Sequence, residues 1–241
     1  MNRFLVVVGV SLVLVSSAQA AVLAIDFGAS GQLQLAGYEP FSLAVAGSTT
    51  QTEVYGAYTV TLTALADSGL SPRFQARNRN GGLTPPASPD DNILVDYIRC
   101  ETTINTRDQV GANQQMPVTR VEIAGLSAST TYGVTIGAWD PWGAPGPNPQ
   151  ILRAGPGTTG SPLSQVWTGA PEPANAGDYS ASGSFTTNGA GVLTVELAYD
   201  MANWNVDSDP QAILGYMAII PEPATMSLLG LGALALLRRR R

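Results

Sequence analysis

Apolar and polar residues alternate along much of this chain with a period of two. In "AYTVTLTAL", Tyr58, Val60 and Leu62 fall on one face and Thr59, Thr61 and Thr63 on the other. "TYGVTIGAW" sets Tyr132, Val134, Ile136 and Ala138 together, and "GVLTVELAY" does the same with Leu193, Val195, Leu197 and Tyr199. This alternation predicts strands half-buried on a sheet. Further strands are predicted at Val22 to Phe27, Phe41 to Ala46, Ile93 to Ile98, Val118 to Ile123, Gly183 to Thr187 and Ile213 to Ile219. Between the chain ends no apolar stripe has helical period and length. Many short strands, threonine-rich outer faces and Gly/Pro turns predict an all-β fold, an antiparallel β-sandwich. Two long connections interrupt the pattern, at about 78–92 and 140–164. Connections of that length are often binding loops or locally disordered segments. There is no internal repeat.

One turn has a more specific sense. In "GLSASTTYGV", Leu126 ends one strand and Tyr132 opens the next. The six-residue step resembles the tyrosine corner of immunoglobulin-like and fibronectin-like sandwiches, where the tyrosine hydroxyl bonds back to nearby backbone.

The two ends read differently from the middle. "MNRFLVVVGVSLVLVSSAQA" has Arg3, an apolar stretch from Phe4 to Val15, and Ala18-Gln19-Ala20. These are the charge, apolar core and small-x-small site of a secretory signal peptide, with cleavage expected after Ala20. At the other end, Pro221-Glu222-Pro223 precedes an almost wholly apolar run from Ala224 to Leu237, then Arg238, Arg239, Arg240 and Arg241. As helix that run is roughly 21 Å long, against about 30 Å of hydrocarbon, so it spans poorly on its own. Ile219 and Ile220 would lengthen it, but the prolines break the helix between them. The arginines stay cytoplasmic by the positive-inside rule. The end is therefore built as a temporary anchor that presents a cleavage site on the outer side of the inner membrane. The expected division is a signal helix over 1–20, a sandwich domain over 21–219, and a sorting segment over 220–241 with a short hydrophobic helix. A second Pro-Glu-Pro, at 171–173, has no apolar run behind it and reads as a loop.

Composition prunes the chemistry. All 12 basic residues are arginine, there is no histidine, and the formal charge is −6. Five arginines lie in the terminal segments, so the exported part is more acidic still. It lacks the basic surface that phosphate contacts need, and no nucleic-acid partner is expected. Without histidine there is no Ser-His-Asp triad and no ordinary zinc site. Without lysine there is no P-loop and no Schiff base. Cys100 is the only cysteine, so no intramolecular disulfide forms; in "DYIRCETT" it reads as core.

The C-terminal residues resemble the PEP-CTERM sorting signal of Gram-negative bacteria, the substrate of exosortases. The resemblance rests on Pro221, Glu222, Pro223, the apolar run and Arg238 to Arg241. It implies recognition at Pro-Glu-Pro by an exosortase-type protease, cleavage nearby, transient inner-membrane anchoring, and delivery to the cell surface or extracellular matrix of a Gram-negative-type bacterium. A looser resemblance covers the middle. "AIDFGAS", "GYEPF", "RFQARNR", "LVDYI", "GLSASTTYGVTIGAWD", "GSFTTNGAGVLTV" and "ILGYMAI" look like a recurrent exported domain, similar in part to malectin-like and galactose-binding-like jelly rolls. That implies a jelly-roll-like sandwich with adjacent first and last strands, and extracellular polysaccharide as a candidate partner.

Candidate binding residues follow. Trp139 and Trp142 flank Asp140 in "AWDPWGAPG". A flat aromatic face beside a carboxylate suits a pyranose ring; the simpler account is that the tryptophans cap the core, and Trp204 allows the same two readings. Arg77 and Arg79, two apart in "RFQARNRN", would share a strand face and hold an acidic sugar, or else pair with Asp90, Asp91 or Asp96. No cofactor and no metal site are expected. "PDDN" and "NVDSDP" carry oxygen ligands of the kind Ca²⁺ takes, but lack EF-hand spacing and read more simply as solvated turns. Three functions remain in play: a non-catalytic surface protein that binds carbohydrate, a carbohydrate-active enzyme using two carboxylates from Asp140, Glu196 and Asp200, and an inert envelope protein.

Overall fold

A computed structural model describes residues 21–29, 37–65, 72–78, 96–102, 117–137, 150–156, 158, 160–163, 180–199 and 212–222. Every regular element among them is a strand. The first seven are β1 (Leu23–Ala29), β2 (Glu39–Leu43), β3 (Thr50–Tyr55), β4 (Tyr58–Leu65), β5 (Pro72–Asn78), β6 (Asp96–Thr102) and β7 (Val118–Ala124). The rest are β8 (Thr131–Gly137), β9 (Gln150–Arg153), β10 (Ser161–Leu163), β11 (Ser180–Thr186), β12 (Leu193–Tyr199), β13 (Ala212–Leu214) and β14 (Tyr216–Pro221).

They form a sandwich of a five-stranded sheet, β11-β8-β14-β1-β2, and a six-stranded sheet, β10-β9-β12-β7-β4-β3. A third sheet of three strands, β13-β6-β5, packs its β5 and β6 against β1 and its β13 against β7 and β12. All pairs are antiparallel except β1 with β2, which run parallel. The first and last strands are neighbours, with Leu23 opposite Ile219. The alternating residues point where their period places them. Val60, Leu62, Val134, Ile136, Leu193, Val195 and Leu197 are buried in one continuous core with Ile25, Phe27, Phe41, Phe74 and Cys100. Phe27 and Phe41 pack at 5.4 Å between ring centroids across the parallel pair. The signal helix and the C-terminal helix expected from sequence lie outside the described residues, as does the Pro-Glu-Pro at 171–173.

Two expectations are corrected. The connection at 140–164 is not one loop: it contains β9 and β10, which extend the six-stranded sheet beyond β12. Both are too short for alternation to register, and Pro162 sits in the terminal strand of that sheet, where a missing N–H does least harm. Nor is the run Ile213 to Ile219 one strand. It switches sheets at Gly215, whose N–H binds Gly137 O at 2.9 Å while its carbonyl takes Phe27 N–H at 2.8 Å.

β3 has polar residues on its inward side, which hides it from a hydrophobic pattern. Gln51, Glu53 and Tyr55 reach the outer edge of β2 and take the place of a neighbouring strand. Ser42 N–H donates to Glu53 Oε1 at 3.1 Å and Ala44 N–H to Gln51 Oε1 at 2.9 Å. Tyr55 OH donates to Pro40 O at 2.8 Å. These bonds cover an edge that would otherwise offer open backbone groups. Burial, then the Glu53 carboxylate, push the Tyr55 phenol far above its ordinary value. The fold thus keeps the neutral phenol, whose unfolded pKa is about 10. Stability from this group is complete below that pH and is lost as pH rises beyond it. Tyr55→Phe is expected to lower stability by about 1–2 kcal/mol at neutral pH and to flatten the alkaline limb of Tm against pH. An unchanged alkaline limb would contradict the assignment.

The turn after β7 is a tyrosine corner. Tyr132 OH accepts from Ser127 N–H at 3.1 Å. Gly125 enters the turn at φ 94°, and a Cβ there would lie 2.1 Å from Ala57 O. Both the left-handed backbone and the carbonyl contact exclude a side chain. Gly125→Ala is expected to cost more than about 2 kcal/mol, from strain plus clash, read as a fall in denaturation midpoint.

Candidate functional site

The sorting tripeptide begins inside the fold. β14 lies between β8 and β1, and its last residues outrun β1. Ile219 O still takes Val22 N–H at 2.8 Å, but Ile220 and Pro221 pair only with Gly133 and Tyr132 of β8. Glu222 N–H donates to Thr131 O at 3.2 Å, the last backbone bond of the strand. Amides alternate along an antiparallel strand, so Pro221, one residue earlier, turns its donor-less nitrogen away from β8. Proline is tolerated there because the strand on that side has not yet begun.

The Glu222 side chain reaches across β8, where Ser184 Oγ of β11 donates to its Oε1. Ser184 lies opposite Gly133, which leaves the carboxylate an open path over the strand between them. Glu222 remains exposed to solvent. Sequence patterns do not point to Ser184, since its role depends on a strand 38 residues away. Because β1 and β14 are antiparallel, Val22 and Glu222 lie at the same pole, so the N-terminal and C-terminal segments leave the sandwich together. Pro223 and Arg238 to Arg241 lie outside the described residues, as do Ala18 and Ala20. No described helix is long and apolar enough to cross a membrane.

The opposite pole leads to the candidate binding residues. β8 starts beside Glu222 and ends at Gly137, seven residues or roughly 20 Å away. Trp139, Asp140 and Trp142 follow directly in sequence but lie outside the described residues. Arg77 falls in β5 with its side chain outside them, and Arg79, Trp204, Asp200 and the "PDDN" and "NVDSDP" turns are outside entirely. Among the described residues no group of three metal-ligating side chains occurs.

What the structure does place at this pole is a row on the outer face of the five-stranded sheet. Asp26, Tyr216 and Gly137 are in register across β1, β14 and β8. A Cβ on Gly137 would lie 1.9 Å from the Tyr216 ring, so the glycine makes room for that ring. Tyr38 meets Tyr216 edge-on at 6.1 Å. The result is a buried carboxylate with two tyrosines beside the strand that leads to Trp139. Asp26 and Tyr216 stand in stretches marked in the sequence, but their meeting depends on the β1–β14 pairing.

Glu196 is held by arginines on both carboxylate oxygens, while Asp140 and Asp200 lie outside the described residues. Glu196 is 1% exposed, with Oε1 held by Arg120 Nε at 3.1 Å and Nη2 at 2.7 Å, and Oε2 by Arg153 Nε at 3.0 Å. The register sets Arg120 of β7 and Arg153 of β9 on either side of it. Both oxygens face guanidinium donors, an arrangement that ties three strands together.

Comparison with known proteins bears on the tail. Residues 220–241 match the PEP-CTERM protein-sorting motif. The chain is thus a β-sandwich protein that carries the sorting motif of exported bacterial proteins. No curated protein matches it. Among solved structures, the K1 cleaved adhesin domain of Lys-gingipain (Kgp) from Porphyromonas gingivalis W83 is similar at 12% identity, over 72% of this chain and 96% of that one, with a TM-score of 0.26.

Proposed function

We propose that this is a non-catalytic surface protein of a Gram-negative-type bacterium, exported across the inner membrane and held there briefly by its C-terminal tail. An exosortase reads Pro221-Glu222-Pro223, removes the arginine-capped tail and passes the sandwich to the cell surface or extracellular polysaccharide. The observation that carries this reading is the match at 220–241. The fold supports it in one further respect. Both chain ends leave one pole, so a chain anchored there extends its Gly137 pole away from the membrane. Carbohydrate binding is assigned to that pole, with Trp139, Asp140 and Trp142 supplying stacking faces and a hydroxyl acceptor.

An enzymatic reading is less favoured, because Glu196 is engaged by two arginines and a hydrolase needs a second carboxylate facing substrate. A glycan array, with parallel turnover assays on the mature protein, tests the binding half. Binding without turnover is the expected result. Turnover would restore the enzyme, and silence in both would leave a structural envelope protein.

A further inference from the structure

Resting on the sorting reading above, we infer that the processing cut falls C-terminal to Glu222. Pro221 and Glu222 then stay on the mature protein as the end of its last strand. A protease takes its substrate as an extended segment paired to its own cleft, so the bond it cuts must lie outside a stretch already paired to another strand. β14 does not offer that. Each residue from Tyr216 to Pro221 is in register with β8, and Glu222 N–H is bound to Thr131 O.

The Ile220–Pro221 bond sits inside this paired stretch. Opening it means stripping residues 219–222 from β8, breaking the Val22 bond on the other side, and exposing Ile219, which is wholly buried. Hydrogen-bonded core strands open rarely, and cleavage of them follows the population of the open form. The Glu222 side chain, by contrast, lies in solvent on the sheet face. An enzyme can read the carboxylate while the backbone stays in the sheet. Recognition at Pro221-Glu222 and cutting beyond it are therefore separable.

The chemistry is hydrolysis. The C–N bond of a peptide group beyond Glu222 breaks, water adds its hydroxyl to the acyl carbon, and the proton goes to the departing amine. Nothing is oxidised or reduced, and the tail leaves with its arginines.

The test is the intact mass, with C-terminal fragmentation, of the mature protein purified from the surface of cells that carry an exosortase. The expected product ends at Glu222 or later and lacks Arg238 to Arg241. A product ending at Pro221 or earlier overturns the inference and leaves the sorting reading standing. A surface protein that still ends in its four arginines overturns both.

Discussion

Glu222→Ala is expected to leave the chain at full length, its arginines attached, in the inner-membrane fraction. A hydrogen bond to a carboxylate is worth about 1.5–3 kcal/mol, so losing the acid from the recognised tripeptide slows processing at least about tenfold. The fold is spared. Glu222 is exposed, and its side chain is bonded to Ser184, so the stability change stays within about 0.5 kcal/mol. Ser184→Ala supplies the comparison. It removes the same intramolecular bond but keeps the acid, and processing should continue. Immunoblots of fractionated cells distinguish the outcomes by size and place. Normal processing of Glu222→Ala would show that the acid is not read.

Glu196→Ala is expected to have the largest effect on stability in the six-stranded sheet. The carboxylate is buried between Arg120 and Arg153, which are 33% and 16% exposed. Removing it leaves two guanidinium groups without their shared partner. Breaking a buried pair costs about 3–5 kcal/mol, and the lower end applies because both arginines keep some access to water. A fall in Tm of about 6–12 °C follows for a domain of this size. Replacing all three residues with apolar ones of similar volume should restore much of the loss. Thermal unfolding of the mature protein checks both. If Glu196→Ala leaves Tm unchanged but abolishes turnover of a glycan, the structural role is wrong and the enzymatic reading returns.

The strands with apolar inward faces are legible in the amino-acid sequence. β4, β7, β8 and β12 bury the apolar residues that period-two alternation puts on one side, because that side faces the core; in β12 the pattern holds although Glu196 and Ala198 on its other side are buried too. The tyrosine corner is legible too, since its bond spans only five residues, Ser127 to Tyr132. β3 is not, because Gln51, Glu53 and Tyr55 occupy its inward positions to cover the edge of β2. β13 is not separable from β14, because Ala212, Ile213 and Leu214 are all buried and a fully buried run has no alternation. The tail declares itself by composition alone. Its seat does not: the bonds from Glu222 to Thr131 and Ser184 depend on which strands flank β14. Strand order is set by the whole sheet, and a local pattern does not encode it. The Asp26–Tyr216–Gly137 row is hidden for the same reason.

A pulse-chase of the newly made chain, run in cells with and without the exosortase, addresses the temporary anchor most directly. With the enzyme present, the chain should start in the inner membrane at its longer size and move to the surface at a smaller one. Without it, the longer form should stay in the membrane throughout. The same size and the same location in both strains would contradict the account.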